Sequence, residues 1–151
     1  MAEHSPGKLP LGMSVTVVSP EPTLAREIAW VLTAVGHHVT ATNETGDGAS
    51  WRRYSEADVL IVDARTAEGD PEEFLADNRD SPTYRIVLYD PKQPLDFAAW
   101  FAAGAHDALR LPLSRGELVA RVRTAARWLE FERRLRTASH ASLLPGWLSE
   151  A

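Results

Sequence analysis

Three carboxylates follow short apolar runs of strand character: Glu21 after Ser14 to Val18, Asp63 after Ala57 to Val62, and Asp90 after Arg85 to Tyr89. Carboxylates gathered at neighbouring strand ends can hold a divalent cation or supply a nucleophile, so their chemistry depends on whether they converge. Arg65, two residues beyond Asp63, offers a competing arrangement, a salt-bridged pair that takes no ligand. An aspartate at a strand end also commonly caps a helix or accepts a neighbouring backbone amide. His37, His38 and His106 fall in or near expected turns without metal-ligand spacing, which predicts solvent-exposed side chains and no metal site. Gly46-Asp47-Gly48 lacks the spacing of a phosphate-binding loop and reads as a turn. A hydrolase or phosphatase needs a nucleophile with a base or a metal, and neither a serine-histidine pair nor a complete carboxylate cluster can be placed at these ends.

Composition narrows the field further. The 151 residues are 44% hydrophobic and 25% charged, ordinary for one soluble domain. There is no cysteine, which excludes disulfide scaffolds, thiolate metal sites and thiol catalysis. The apolar runs are strand-sized, so no membrane span and a cytoplasmic location are expected. The net charge of -5 is unevenly spread. Between Arg110 and Arg136, eight basic residues face only Glu117, Glu130 and Glu132, leaving an acidic body joined to a basic C-terminal segment. An acidic body disfavours general nucleic-acid binding.

The elements that must position the carboxylates alternate in type. Residues 1 to 13, with two prolines and two glycines, read as a disordered leader. Ser14 to Val18 reads as a strand. Thr23 is the expected cap of a helix through Leu24, Ile28, Val31, Leu32 and Val35, closed by Gly36. Strand His38 to Thr42, a short helix around Gly48 to Tyr54 and strand Ala57 to Val62 follow. Then come helix Pro71 to Ala76, strand Arg85 to Tyr89, helix Leu95 to Ala103 and strand Ala108 to Leu111. Ser114 and Glu117 form the capping box of a last helix reaching toward Ala138. Five strands alternating with five helices give an α/β fold, a parallel sheet covered on both faces, whose ligands would sit at the carboxyl ends of the strands.

Residues 14 to 128 resemble a receiver domain of bacterial two-component signalling. Val17-Val18-Ser19-Pro20-Glu21-Pro22 occupies the frame of the family's first strand and acidic pair, with Ser19-Pro20 in place of the two acidic residues. Asp58-Val59-Leu60-Ile61-Val62-Asp63 matches the strand whose terminal aspartate accepts a phosphoryl group, so Asp63 is the phosphoacceptor by position. Gly104-Ala105-His106-Asp107-Ala108-Leu109-Arg110-Leu111-Pro112-Leu113 follows the family signature, with Leu111 replacing its lysine. Tyr89 stands where the family carries the threonine or serine that senses the phosphoryl group, and Ala108 where it carries the aromatic switch residue. The resemblance implies a flavodoxin-like doubly wound five-stranded sheet of order 2-1-3-4-5 and a cis bond between Leu111 and Pro112.

These departures remove chemistry and keep architecture. Pro20 has no side-chain oxygen, Ser19 is a weak magnesium ligand, and Leu111 cannot pair with a phosphate. The reading is therefore a degenerate receiver with a vestigial Asp63, no cofactor, and a strand-end pocket of Ser19, Pro20, Glu21, Arg65, Tyr89, Asp90, Ala108 and Leu111. Two readings stand beside it: a working receiver phosphorylated on Asp63 with Mg2+ in an altered site, and a small phosphatase or hydrolase on the same fold. The expected partner is a signalling protein, with no nucleic acid and no membrane. Four of the five tryptophans, Trp30, Trp51, Trp100 and Trp128, fall in expected helices, where core packing accounts for most of them. Trp100 is an interface candidate if exposed. Residues 129 to 151 read as a helical extension and tail, and Trp128, Phe131 and Leu135 form a stripe that predicts a homodimer with antiparallel or staggered helices.

Overall fold

The computed structural model describes residues 12–42, 56–65 and 71–142. Five strands form one all-parallel sheet in the order β2-β1-β3-β4-β5: β1 Ser14–Val18, β2 His38–Thr42, β3 Val59–Asp63, β4 Tyr84–Tyr89 and β5 Asp107–Arg110. Four helices lie among the described residues: α1 Pro22–Ala34, α2 Pro71–Asp77, α3 Phe97–Ala103 and α4 Arg115–Ser142. The helix expected around Gly48 to Tyr54, with Trp51, lies outside them. The flavodoxin-like sheet order is the one the resemblance implied.

Successive residues of the middle strands feed two separate cores. Val15, Val17, Val59, Ile61, Ile86 and Leu88 pack with α1 and α4 on one face. Val18, Leu60, Val62 and Val87 pack with Phe74 of α2 and Trp100 of α3 on the other. Both faces are covered, which is why β3 reads as an unbroken apolar run with every residue buried. β2, at the sheet edge, has no fully buried side chain.

Local chemistry sets the element ends. Glu21, and not Thr23, is the N-cap of α1, because Pro22 occupies the first helical position, where its missing N–H costs nothing. Gly36 takes a φ of 100°, and its amide and that of His37 turn back to Thr33 and Leu32, closing α1. α3 begins at Phe97 and not at Leu95, since Asp96 Oδ1 accepts the Ala99 amide. Ser114 Oγ accepts the Glu117 amide at the start of α4. The Leu111–Pro112 bond is cis. Met13, placed in the leader by composition, belongs to the core, and its carbonyl accepts the His38 amide.

Two groups around the start of β4 depart from the sequence reading, the buried Arg85 and the half-buried His106. Arg85, the second residue of β4, is 4% exposed. Its guanidinium donates to the carbonyls of Asn78, Ser81, Arg79 and Gly104, so it satisfies the chain leaving α2 and ties it to the end of α3. Gly104, at φ 126°, permits that approach, since an added Cβ would lie 3.3 Å from the Leu75 carbonyl. His106 Nδ1 accepts the Arg85 amide, and its ring stacks on Tyr84 at 4.8 Å and tilts against Trp128 at 4.5 Å. His106 is therefore not the solvent-exposed side chain expected, and neither is His37, at 9% exposure; His38 alone of the three is exposed. Burial, with Arg85 nearby, pushes the His106 pKa down to about 4.

Ile61→Ala, at a fully buried site, is expected to lower unfolding free energy by about 2 to 5 kcal/mol. Asp96→Ala should cost about 0.5 to 2 kcal/mol through loss of the cap; urea denaturation measures both. The unfolded chain protonates His106 near 6.5 and the folded chain only near 4, so the unfolded state binds the extra proton in between. Stability is therefore expected to fall as pH drops from about 6.5 to about 4. An NMR titration should show the His106 ring neutral down to pH 5, and His106→Gln should flatten that part of the stability profile.

Candidate functional site

β1, β3, β4 and β5 end side by side, and the parallel register places Val18 beside Val62 and Asp63 beside Leu88. The chain leaving each strand therefore arrives at one edge, where an open α/β sheet places its ligands. Asp63 is fully buried there. Its Oδ1 accepts the Arg65 amide at 2.9 Å and Arg65 Nε at 3.0 Å. Its Oδ2 accepts Ser19 Oγ at 2.8 Å and Arg65 Nη2 at 2.8 Å. Four donors thus fill the roughly four lone-pair directions of an ionised carboxylate.

The lock extends outward to Glu21. Arg65 Nη2 also meets Glu21 Oε2 at 2.7 Å, while the Glu21 amide donates to Ser19 Oγ at 3.1 Å. Asp63, and secondarily Glu21, hold the Arg65 guanidinium well above its ordinary pKa, with desolvation working against them. The structure brings Ser19, Glu21, Asp63 and Arg65 into direct contact. Asp90 stays outside this cluster's hydrogen bonds, and its Oδ1 accepts the Lys92 amide in the turn after β4.

Two clefts flank the lock and share Arg65 and Asp90. One, of about 480 Å³, is lined by Ala64, Tyr89, Leu95 and Trp100 among others. The second, of about 450 Å³, runs between Glu21, Lys92, Arg110 and the Leu111-Pro112 step. Leu111 is 8% exposed and turned into the α1–α4 core. Tyr89 is half-buried and meets Phe97 edge-on at 5.0 Å. Ala108 is half-buried in β5, paired with Val87. Pro20 is exposed in the turn after β1.

A divalent cation would need at least two free carboxylate oxygens at this edge. Both Asp63 oxygens are occupied, Glu21 is engaged by Arg65, and Pro20 offers no side-chain ligand; Asp90 stands in the adjoining clefts, but among the described residues no three acidic or histidine side chains gather, so the donor set does not fit the ion. The Arg65 guanidinium supplies the positive charge instead. A bidentate guanidinium suits a fixed carboxylate, whereas a hydrated ion needs exchangeable oxygen ligands.

The tryptophans separate. Trp100, the interface candidate, is 5% exposed: it packs in the core with Phe97 against its ring and meets solvent only where it lines the first cleft. Trp128 is half-buried on Tyr84 and His106. Trp30, taken for core, is 65% exposed with the Arg115 guanidinium 5.1 Å above its ring. Phe131 and Leu135 are exposed at 58% and 46%. The signal for Arg85 was a single charge inside an apolar strand. The signal for Trp30 was its place off the apolar stripe of Leu24, Ile28, Val31 and Leu32.

Arg65→Met would strand a buried carboxylate and is expected to cost about 2 to 4 kcal/mol, somewhat below a fully buried pair because Arg65 retains solvent contact. Adding Asp63→Asn to Arg65→Met should recover part of that loss. Denaturant unfolding of the two single variants and the double variant measures the coupling, and strict additivity would mean that the pair is not a unit.

No protein-family model matches the sequence. The chain is 32% identical over 115 residues to the KDP operon transcriptional regulatory protein KdpE of Escherichia coli strain K12, a match covering 76% of this chain and 51% of KdpE. The chain thus spans about half the length of that relative. NtrX from Brucella abortus superposes with a TM-score of 0.76 at 12% identity, over 89% of this chain and 31% of NtrX. A response regulator from Thermotoga maritima gives a TM-score of 0.65 at 20% identity, over 78% and 99% of the two chains. The receiver domain of the TMAO respiratory system response regulator TorR gives a TM-score of 0.65 at 22% identity, over 74% and 94%. These solved structures carry the fold, and the likeness to KdpE carries the sequence relationship. With an aspartate closing β3 and the Gly104 to Leu113 segment around β5, the chain has the fold of response-regulator receiver domains and is similar in sequence to about half of KdpE.

Proposed function

We propose that the chain is a degenerate receiver domain of two-component signalling and works as a protein interaction module without phosphorylation of Asp63. One observation carries the reading: Arg65 and Ser19 occupy both oxygens of Asp63, the atoms a phosphoryl group and its metal would need. Phosphoryl transfer to a carboxylate depends on a cation that neutralises the oxygens around phosphorus and on fixed positive charge for the product. Leu111 supplies no such charge, and Pro20 supplies no ligand. An acyl phosphate would also have to displace a guanidinium held by two carboxylates.

The same geometry argues against switching. Tyr89 is packed on Phe97 and Ala108 has no ring to rotate, so the pair that would report a phosphoryl group is absent in chemistry. The surface that remains is a fixed one, suited to a constant partner in a bacterial signalling pathway. No helix among the described residues is long and apolar enough to cross a membrane. KdpE is named a transcriptional regulatory protein; this chain covers only 51% of it.

Incubation with acetyl phosphate and Mg2+, read by intact-mass spectrometry, is expected to leave the protein unmodified. An adduct of one phosphoryl group that disappears in Asp63→Asn would overturn the proposal. The combination Ser19→Asp, Pro20→Asp, Arg65→Ala and Leu111→Lys should favour the adduct, because it restores the acidic pair and the cation while releasing Asp63.

A further inference from the structure

α4 is 28 residues long, about 42 Å at 1.5 Å per residue. Its buried side chains, Leu118, Val122, Ala125, Ala126 and Leu129, occupy one face and stop at Leu129. The helix leaves the sheet close to that point, where Arg133 comes within 3.9 Å of Asp58 just ahead of β3. Beyond it, Phe131, Leu135 and Ala138 are exposed and lie roughly on the opposite side of the helix from the buried stripe.

We propose that this outer stripe is the seam of a parallel two-stranded coiled coil with a second copy of the chain. The inference rests on the phosphorylation-independent reading above and names its partner. Trp128, Phe131, Leu135 and Ala138 are spaced by three, four and three residues, the a and d positions of a heptad. Trp128 is committed to the body through Tyr84 and His106, so the intermolecular seam starts at Phe131. Because the seam faces away from the sheet, two bodies can stand on either side of the helix pair without collision.

Charge fixes the direction. In this register Arg127 and Arg134 fall at g positions and Glu132 at an e position. A parallel pair sets each g residue against the e residue five places on in its partner, which matches Arg127 with Glu132 on both sides of the seam. An antiparallel pair sets g against g and e against e, arginine facing arginine. The antiparallel or staggered pairing expected from the overall arginine content is therefore replaced by a parallel one, because the free face selects which charges flank the seam.

The test uses the full chain. Sedimentation over micromolar concentrations is expected to show a monomer–dimer equilibrium that is the same with and without acetyl phosphate and Mg2+. Leu135→Lys, at an exposed position, should weaken association by about tenfold or more while leaving thermal unfolding of the body unchanged. Glu132→Arg should weaken it, and Arg127→Glu with Glu132→Arg should restore it. The chain has no cysteine, so Ala138→Cys reports orientation directly: it should form a disulfide-linked dimer on mild oxidation, and Arg136→Cys, off the seam, should not. A monomer under both conditions overturns the coiled coil and leaves the phosphorylation-independent reading intact. A dimer formed only after acetyl phosphate treatment overturns that reading and keeps the seam. A dimer indifferent to Leu135→Lys, or one in which Ala138→Cys does not cross-link, overturns the parallel seam.

Discussion

A carboxylate at zero exposure, at the end of the most deeply buried strand, must be compensated or neutralised, and this requirement organises one end of the molecule. Asp63 meets it with donors from two neighbouring strand ends. Arg65 folds back over the residue two before it, the Ser19 hydroxyl reaches across from β1, and Glu21 takes the remaining side of the guanidinium. Once those groups are fixed, the turn after β1 and the first two residues after β3 are fixed as well. The edge where an open α/β sheet ordinarily receives its ligand becomes a closed ion pair between two clefts.

The opposite end of the sheet solves a similar problem with different chemistry. Arg85 is buried without a contacting carboxylate, and burial lowers its pKa while Asp80 partly offsets the effect. Its compensation is a set of backbone carbonyls at the ends of α2 and α3, groups that also need donors. His106 joins this end to α4 through Tyr84 and Trp128. One arginine thus locks the strand ends, and the other braces the helices where α4 departs.

Between them the sheet is insulated by two apolar cores of different make-up. The α1–α4 side continues past the end of β5 through Leu111, a position where an apolar side chain gains packing and a lysine would contribute charge to the strand ends. Leu111 therefore adds a buried residue to the core in place of a charge at the strand ends. The outward end of α4 gains nothing from either core, which leaves its remaining apolar side chains for another surface.

The sequence by itself determined the order of elements, the parallel sheet and its buried middle strands. Alternation of strand and helix admits few topologies, and runs such as Val59 to Val62 are apolar on both sides only when both sides are covered. It also showed that Pro20 and Leu111 lack the functional groups of a phosphorylation site, since side-chain chemistry needs no coordinates. Tertiary structure alone decided which polar groups met. Whether Arg65 would turn inward to Asp63 or outward to solvent depended on the burial of Asp63, a property of the packed sheet and not of the local spacing. The same holds for Trp100 inside, and for His106 half-buried at the end of a turn. Each depends on the distance between elements remote in sequence, and helical periodicity records only which residues share a face, not what that face meets.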